Sequence, residues 1–188
     1  VRQYAVTDAV RSATCTQASV HPAEGEKKFS VTLLDYGAKR NIVRELQKRG
    51  CEVTVLPASA AAEEVLAGDP DCVMLSNGPG DPAEAVFQIG EIRKLLGKKP
   101  VFGICLGHQL TALALGGTTY KLKYGHRGVN QPVREADGPR TYITSQNHGY
   151  AVDSDSLKQG KISFVNANDG TCEGIDYPEL NAFTVQFH

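Results

Sequence analysis

The stretch Pro100-Val101-Phe102-Gly103-Ile104-Cys105-Leu106-Gly107-His108-Gln109 decides the fold of this chain. An apolar run of strand-forming residues ends at one cysteine, and a helix-like run begins directly after it. Gly103 and Gly107 stand two residues either side of Cys105, where side chains would collide in a sharp strand-to-helix turn. The pattern predicts a nucleophile elbow that carries sulfur. The backbone N–H of Leu106 can then face a developing oxyanion, and the helix dipole favours the thiolate.

The composition indicates one domain without a general affinity for polyanions. The chain has 188 residues and a net charge of -1, which suits a single substantial core and gives no reason to expect nucleic-acid binding. No apolar run reaches membrane-spanning length. Five cysteines, without Cys-x-x-Cys spacing or a signal peptide, favour reduced thiols in a cytoplasm. Because the chain starts at Val1 and stops after an apolar run at His188, we expect a piece of a longer polypeptide.

Short β-branched runs alternate with helical runs through the first part of the chain. The predicted strands are 30–35, 52–56, 71–76 and 100–104, with helices at 39–49, 60–67 and 83–96. This order predicts an α/β fold with an open, mostly parallel, doubly wound sheet of the flavodoxin-like kind. Shorter strands at 118–123, 141–145, 162–166 and 182–187 predict added antiparallel strands in the C-terminal half. Residues 1–28 are expected to be a linker from another domain, and 29–188 the folded domain.

A second glycine loop, Asn77-Gly78-Pro79-Gly80-Asp81-Pro82, follows the predicted strand at 71–76. Ligands of open α/β sheets bind at the carboxyl ends of strands. A dinucleotide-binding interpretation is weak because Pro79 and Pro82 stiffen a loop that would have to wrap a pyrophosphate. The loop can instead present a backbone N–H beside that of Leu106 and complete an oxyanion hole. Replacing Gly78 is then expected to reduce turnover more than stability.

A thiol nucleophile needs a base, and His188 is the best candidate. It follows the apolar run 183–187, so a strand would deliver its imidazole to the edge of the sheet where Cys105 sits. Metal binding is not predicted, because Cys105 and His108 have no second pair at ligand spacing. Two other histidines, His108 and His148, lie near the site, and their role is open. The residues expected to be structural are His21, His126, Cys51 and Cys72.

Residues 29–188 resemble the amidotransferase domain of carbamoyl-phosphate synthase small subunits, within the triad (class I) glutamine amidotransferases. The elbow through Gln109 is shared by the whole triad class, whereas 36–42 and 125–128 are particular to this subunit. The matching motifs are Asp35-Tyr36-Gly37-Ala38-Lys39-Arg40-Asn41-Ile42, Leu75-Ser76-Asn77-Gly78-Pro79-Gly80-Asp81-Pro82, the elbow, Lys123-Tyr124-Gly125-His126-Arg127-Gly128, Gln146-Asn147-His148-Gly149 and Val185-Gln186-Phe187-His188.

The resemblance implies a role for each matching residue. Cys105 would be the nucleophile that attacks the glutamine side-chain amide, and His188 the base that later protonates ammonia. Gly78 and Leu106 would donate to the oxyanion. The residues implied for the glutamine pocket are Gly80, Gln109, Asn147, Gly149 and Tyr150.

The resemblance also implies a heteromeric enzyme. Ammonia would pass to a large synthetase subunit that uses ATP and bicarbonate to make carbamoyl phosphate for pyrimidine and arginine synthesis, so this chain itself needs no cofactor. In the family a Pro-Glu pair follows the histidine and its Glu completes the triad; we expect the 188-residue chain alone to be weakly active. Two alternatives are an amidotransferase serving anthranilate or guanylate synthesis, against which 125–128 argues, and a non-catalytic docking module with an incomplete triad.

Overall fold

A mixed sheet of ten strands runs through the part of the chain that the computed structural model describes, residues 7–188. The strands are β1 (Ser19–His21), β2 (Phe29–Asp35), β3 (Cys51–Pro57), β4 (Cys72–Leu75), β5 (Val101–Ile104), β6 (Thr119–Glu135), β7 (Thr141–Val152), β8 (Lys161–Asn166), β9 (Cys172–Tyr177) and β10 (Ala182–Val185). The α-helices are α1 (Ala9–Ala13), α2 (Arg40–Lys48), α3 (Ala62–Ala67), α4 (Val86–Leu95) and α5 (Leu106–Ala114).

The sheet has a parallel half and an antiparallel half. Its strand order is β1-β3-β2-β4-β5-β10-β9-β8-β6-β7. The strands from β3 to β10 in this order are parallel to one another, whereas β9, β8, β6 and β7 continue the sheet with antiparallel pairing. The predicted α/β class, with a mostly parallel core and antiparallel additions in the C-terminal half, is confirmed.

Strand β10 differs from the prediction in its direction. The sequence places it among the antiparallel additions, but it pairs in parallel with β5, with Ala182 opposite Val101, and antiparallel with β9. Side-chain alternation identifies a strand without showing its direction, so the pattern could not settle this point. β10 follows every other described strand along the chain, yet it lies in the interior of the sheet and joins the two halves.

The described sheet begins before Phe29. Ser19–His21 pairs with β3 in antiparallel orientation, with Ser19 opposite Val55. Just before β1, the backbone N–H of Cys15 donates to Asp35 Oδ2 at 2.7 Å, which holds this part of the chain against the end of β2. A three-residue strand is too short to give a periodic signal, and residues 1–6 of the predicted linker lie outside the described residues. That 1–28 connects to another domain stays a prediction.

Helices cover both faces of the parallel half, as the doubly wound prediction requires. Apolar residues of α3, α4 and α5, such as Val65, Ile92 and Leu110, share one buried cluster. Helix α2 packs its Ile42 and Leu46 against a second cluster on the opposite face. In residues 7–188, none of the helices has the length and hydropathy needed to cross a membrane.

His108 of α5 is fully buried where the helix packs against β10. Its Nδ1 lies 2.8 Å from Thr184 Oγ1, while Nε2 has no hydrogen-bond partner in the described residues. Burial, and then the charge of His148, lowers the pKa of His108 from 6.5 to about 3. The imidazole is therefore neutral in the folded state over the range in which an unfolded chain would protonate it.

We expect this histidine to make the fold sensitive to acid. Above the ordinary pKa of 6.5 its contribution to stability is fully present. As pH falls from there towards the folded pKa, the unfolded state binds a proton that the folded state does not, and stability is lost. His108→Gln should therefore flatten the fall of the thermal midpoint between about pH 6.5 and 4.5. Equal acid sensitivity of the two chains, measured by calorimetry, would contradict this.

Candidate active site

The elbow places Cys105 in a strained backbone conformation between β5 and α5. Its φ of 54° and ψ of -101° lie where only glycine is at ease, at a cost of about 1–3 kcal/mol. Two hydrogen bonds hold the turn in place. The N–H of Cys105 donates to the Val185 carbonyl at 2.8 Å, and that of Gly107 donates to the Ser76 carbonyl at 3.1 Å. The side chain of Cys105 is 5% exposed, so the thiol sits inside the edge of the sheet.

The two glycines of the elbow are needed because neighbouring backbone fills the space of their missing side chains. A β-carbon on Gly103 would lie 2.9 Å from the carbonyl carbon of Gly107. One on Gly107 would collide with the Leu75 carbonyl oxygen and lie 2.7 Å from Leu75 Cβ. The steric reason that the sequence gives for the Gly-x-Cys-x-Gly spacing is confirmed, since these contacts are far inside the van der Waals distance.

The second glycine loop lies directly against the elbow. A β-carbon on Gly78 would collide with the Tyr36 carbonyl oxygen and come within 2.6 Å of Leu106 Cδ2. In residues 7–188, neither the Gly78 nor the Leu106 N–H donates to a backbone carbonyl. That the two groups bind an oxyanion stays a prediction. A side chain there must displace backbone atoms, so replacing Gly78 also costs stability; that turnover falls more than stability stays a prediction.

Helix α1, inside the predicted linker, packs on the same loop. Gly80 has a φ of 95°, a conformation that favours glycine, and a β-carbon there would lie 2.7 Å from Ala9 Cβ. Gly80, which the family resemblance assigns to the glutamine pocket, is therefore covered by Ala9. Residues before β1 therefore pack on the loop that carries Gly78 and Gly80.

Gln109 and Tyr150 meet beside the elbow. The buried Nε2 of Gln109 donates to the Tyr150 carbonyl at 2.8 Å and to Gln186 Oε1 at 2.7 Å. Burial, and then the carboxylate of Asp81 in the glycine loop, raises the pKa of the Tyr150 phenol. Tyr150 thus connects β7 to both the elbow helix and the glycine loop, as expected of a residue in the wall of a pocket.

Asn147 and Gly149 lie farther along β7, in its ribbon with β6. Asn147 is exposed and pairs with Arg127. A β-carbon on Gly149 would lie 3.6 Å from Arg127 Nη2. The structure brings neither residue into hydrogen-bond contact with Cys105 among the described residues, and their assignment to the glutamine pocket stays a prediction.

His188 reaches the same edge of the sheet as Cys105. His188 lies beyond β10, and its N–H donates to the Ser145 carbonyl of β7 at 2.9 Å. After β10 the chain therefore passes from its pairing with β9 to a contact with β7. The His188 side chain lines a cavity of about 440 Å³ with Lys39 and Ile104. Burial, and then the charge of Lys39, lowers the pKa of His188 to about 4, so the imidazole is neutral but a weak base in this arrangement. Within residues 7–188, no hydrogen bond joins it to the Cys105 thiol.

Burial outweighs the features that favour the Cys105 thiolate. It raises the pKa of the thiol to about 11, and the negative charge of Glu173 acts in the same direction. The pKa is lowered by the Leu106 N–H, the charge of Lys39 and the Gln186 amide. The thiolate expected from the helix terminus is therefore not the resting form. The thiol is protonated at neutral pH, and ionisation requires a base.

Glu173 is a candidate site residue that sequence reasoning missed. This fully buried carboxylate of β9 accepts from Gln146 Nε2 at 3.0 Å and from Asn166 Nδ2 at 3.1 Å. Burial raises the pKa of its carboxyl group. The available signal was a charged residue within the strand run Cys172–Tyr177, whose other positions are mostly apolar.

His148 continues this buried network towards Tyr150. Its Nδ1 donates to the Tyr150 carbonyl at 2.7 Å, and its Nε2 lies 2.8 Å from Gln146 Oε1. A neutral imidazole cannot donate from both nitrogens. Because Nδ1 faces the Tyr150 carbonyl, which can only accept, Nε2 is the acceptor nitrogen of the neutral ring. The network thus ties β7 to β9 behind the elbow.

His126, which the sequence analysis treats as structural, joins the same network. Its Nε2 lies 2.8 Å from Asp169 Oδ2 and its Nδ1 lies 3.4 Å from Glu173 Oε1. His126, His148 and Glu173 each bring one possible metal-ligand atom within 4.8 Å of the others. The Glu173 oxygens and the His148 nitrogens already have polar partners within the protein. We therefore interpret the three residues as a buried polar network.

The fold and the elbow define an α/β domain with a cysteine at the position of a nucleophile. Residues 32–188 match the model of the class-I glutamine amidotransferase family. The chain belongs to this family.

Carbamoyl phosphate synthase small chains are among its relatives. That of Staphylococcus epidermidis is 56% identical over 162 residues, covering 85% of this chain and 44% of the relative. That of Listeria monocytogenes is 51% identical over 183 residues, covering 96% of this chain and 50% of the relative. The chain thus spans about half the length of the curated relatives it matches.

Solved structures support the same fold at lower sequence identity. A putative GMP synthase protein from Thermoplasma acidophilum superposes with a TM-score of 0.73 at 20% identity, over 89% of this chain and 84% of that one. A glutamine amidotransferase from Thermotoga maritima gives 0.68 at 20% identity, over 85% and 75%. These likenesses show the shared architecture.

Proposed function

We propose that this domain hydrolyses L-glutamine to glutamate and ammonia through a γ-glutamyl thioester on Cys105. The observation that carries the proposal is the strained elbow, which holds a buried thiol at the start of α5 beside two N–H groups without backbone acceptors in the described residues. A strained residue persists where the surrounding structure determines it, and such residues cluster at active sites. A buried structural cysteine has no need of this conformation.

The proposed reaction assigns one step to each of these groups. The Cys105 thiol gives its proton to the His188 imidazole, and Sγ attacks the side-chain carbonyl carbon of glutamine. The Gly78 and Leu106 N–H groups donate to the oxyanion of the tetrahedral intermediate. Its collapse breaks the C–N bond, and the leaving nitrogen takes the proton from His188 to depart as ammonia. Water then attacks the thioester carbonyl, the C–S bond breaks, and a proton from the water restores the Cys105 thiol as glutamate leaves.

We infer that the ammonia supplies carbamoyl phosphate synthesis. Support comes from the relatives at 51–56% identity, which are named small chains of that synthase. The acceptor is then a large synthetase subunit that uses ATP and bicarbonate. Five free cysteines, several of them buried, fit a reducing cytoplasm. An amidotransferase of anthranilate or guanylate synthesis has less support, because the solved GMP synthase relative shares only 20% identity.

A glutamine-shaped chloroketone should alkylate Cys105 and none of the other four cysteines. The reagent needs both a pocket for the amino-acid end and a base near the thiol, and only the elbow is expected to offer both. Burial raises the pKa of the Cys51 and Cys72 thiols, which lie in strands away from the glycine loop. Peptide mapping by mass spectrometry, with and without competing glutamine, gives the result.

Iodoacetamide serves as the matched reagent without a glutamine moiety. If both reagents modify the same cysteines at the same relative rates, or if glutamine gives Cys105 no protection, the chain has no glutamine pocket. That result would favour the docking module over the enzyme.

A further inference from the structure

Gln186 is a buried amide that stands opposite the elbow. Val185 pairs with Ile104 in the β5–β10 register and accepts the hydrogen bond of the Cys105 N–H, so the next residue of the chain lies beside the thiol. The side chain of Gln186 is fully buried. An amide in an otherwise apolar strand end requires an explanation, since a polar group out of water must be paired.

The hydrogen bonds fix which end of the Gln186 amide faces the thiol. Gln109 must direct its NH₂ group to the Tyr150 backbone carbonyl, which can only accept. The same Nε2 donates to Gln186 Oε1 at 2.7 Å, so the Gln186 oxygen is committed to this side. Its Nε2 is left on the other side, buried and without a hydrogen-bond partner among the described residues.

The surroundings of the thiol make this donor matter. Gln186 follows Val185, the residue that accepts the Cys105 N–H, and its amide lowers the pKa of the thiol. The charged groups that act on Cys105 are Lys39, before α2, which favours the thiolate, and Glu173 of β9, which opposes it. A neutral thiol is a weak acceptor and leaves the Gln186 N–H unsatisfied, whereas a thiolate satisfies it.

We propose that Gln186 is a positioning residue of the nucleophile, whose side-chain N–H binds the Cys105 thiolate and is aimed by the Gln109–Tyr150 contact. The proposal rests on Cys105 as the nucleophile. When the thiol proton leaves for the base, the unsatisfied amide donor gains its partner, and ionisation of a buried thiol becomes easier. Gln109 then acts on the elbow through Gln186, in addition to any contact with substrate.

The test is the pH profile of Cys105 alkylation by iodoacetamide, which reports the thiol without requiring a glutamine pocket. Gln186→Met keeps the side-chain length and removes the donor. At any pH below the midpoint of this profile, alkylation should be about ten- to hundredfold slower, as expected when the midpoint rises by about one to two pH units. Gln186→Glu keeps an oxygen for Gln109 and should raise the midpoint at least as far, because its carboxylate repels the thiolate.

Thr184→Val is the matched control. Thr184 is buried on the same strand and contacts His108 rather than Cys105, so its loss should leave the midpoint unchanged. An unchanged midpoint in folded Gln186→Met or Gln186→Glu, or an equal shift in Thr184→Val, overturns the proposal.

Discussion

Cys105→Ala is expected to abolish glutamine hydrolysis, with a loss of at least about 10⁴-fold in kcat, on the scale seen when a covalent nucleophile is removed. Without the thiol no thioester can form, and the oxyanion donors alone cannot supply the missing bond. The substitution removes one buried sulfur and leaves the backbone hydrogen bonds of the elbow in place. Glutamine should still bind, because the residues proposed for its pocket lie outside the substituted position, on the glycine loop, α5 and β7.

The measurement is glutamate release by the purified chain together with glutamine binding by calorimetry. Cys72→Ala is the matched control: the same chemical change on β4, where the thiol donates to the Val73 carbonyl, away from the elbow. It should keep wild-type turnover. Hydrolysis by Cys105→Ala near the wild-type rate would show that Cys105 takes no part in the reaction. An equal loss of turnover in Cys72→Ala would show that both substitutions act by destabilising the fold.

Gly107→Ala should have the largest effect on the fold itself. Its β-carbon would collide with the Leu75 carbonyl oxygen and lie 2.7 Å from Leu75 Cβ, and a central strand has no freedom to move away. We expect a loss of about 3 kcal/mol or more in the free energy of unfolding, at the upper end of overpacking effects. Turnover should fall as well, since α5 carries the Leu106 N–H and would be pushed off the sheet.

Gly90→Ala in α4 separates this clash from any general effect of losing a glycine. A β-carbon there meets nothing within 4 Å, so the helix should gain about 0.5–1 kcal/mol from the lower entropy of the unfolded chain. Urea denaturation of both variants gives the comparison. Equal unfolding midpoints for Gly107→Ala and the wild type would show that the elbow can relax, against the packing described above.

The sequence was sufficient for the parts of the site that depend on local order. Apolar runs alternating with helical ones defined the parallel half of the sheet, and Gly103-x-Cys105-x-Gly107 at a strand-to-helix junction defined the elbow. Both signals are short-range, because the steric needs of a sharp turn appear as glycines within a few residues.

Long-range features of the site could not be predicted in this way. The direction of β10 depends on the strands that it joins, and the Gln186–Gln109–Tyr150 contacts connect residues 41 and 77 positions apart. The unfavourable setting of the Cys105 thiolate has the same origin. A helix terminus is visible in sequence, whereas the burial that overrides it arises only when β10 and β9 pack beside the elbow.

The place of β10 has a consequence for the order of folding. This strand comes after all the other described strands along the chain, yet β5 and β9 can be joined into one sheet only through it. Such a long-range pairing is slow compared with local helix and hairpin formation. During synthesis, the ribosome would release the two halves of the sheet before the strand that links them. The elbow therefore stays without Val185 and Gln186 at its side until β10 pairs with β5 and β9.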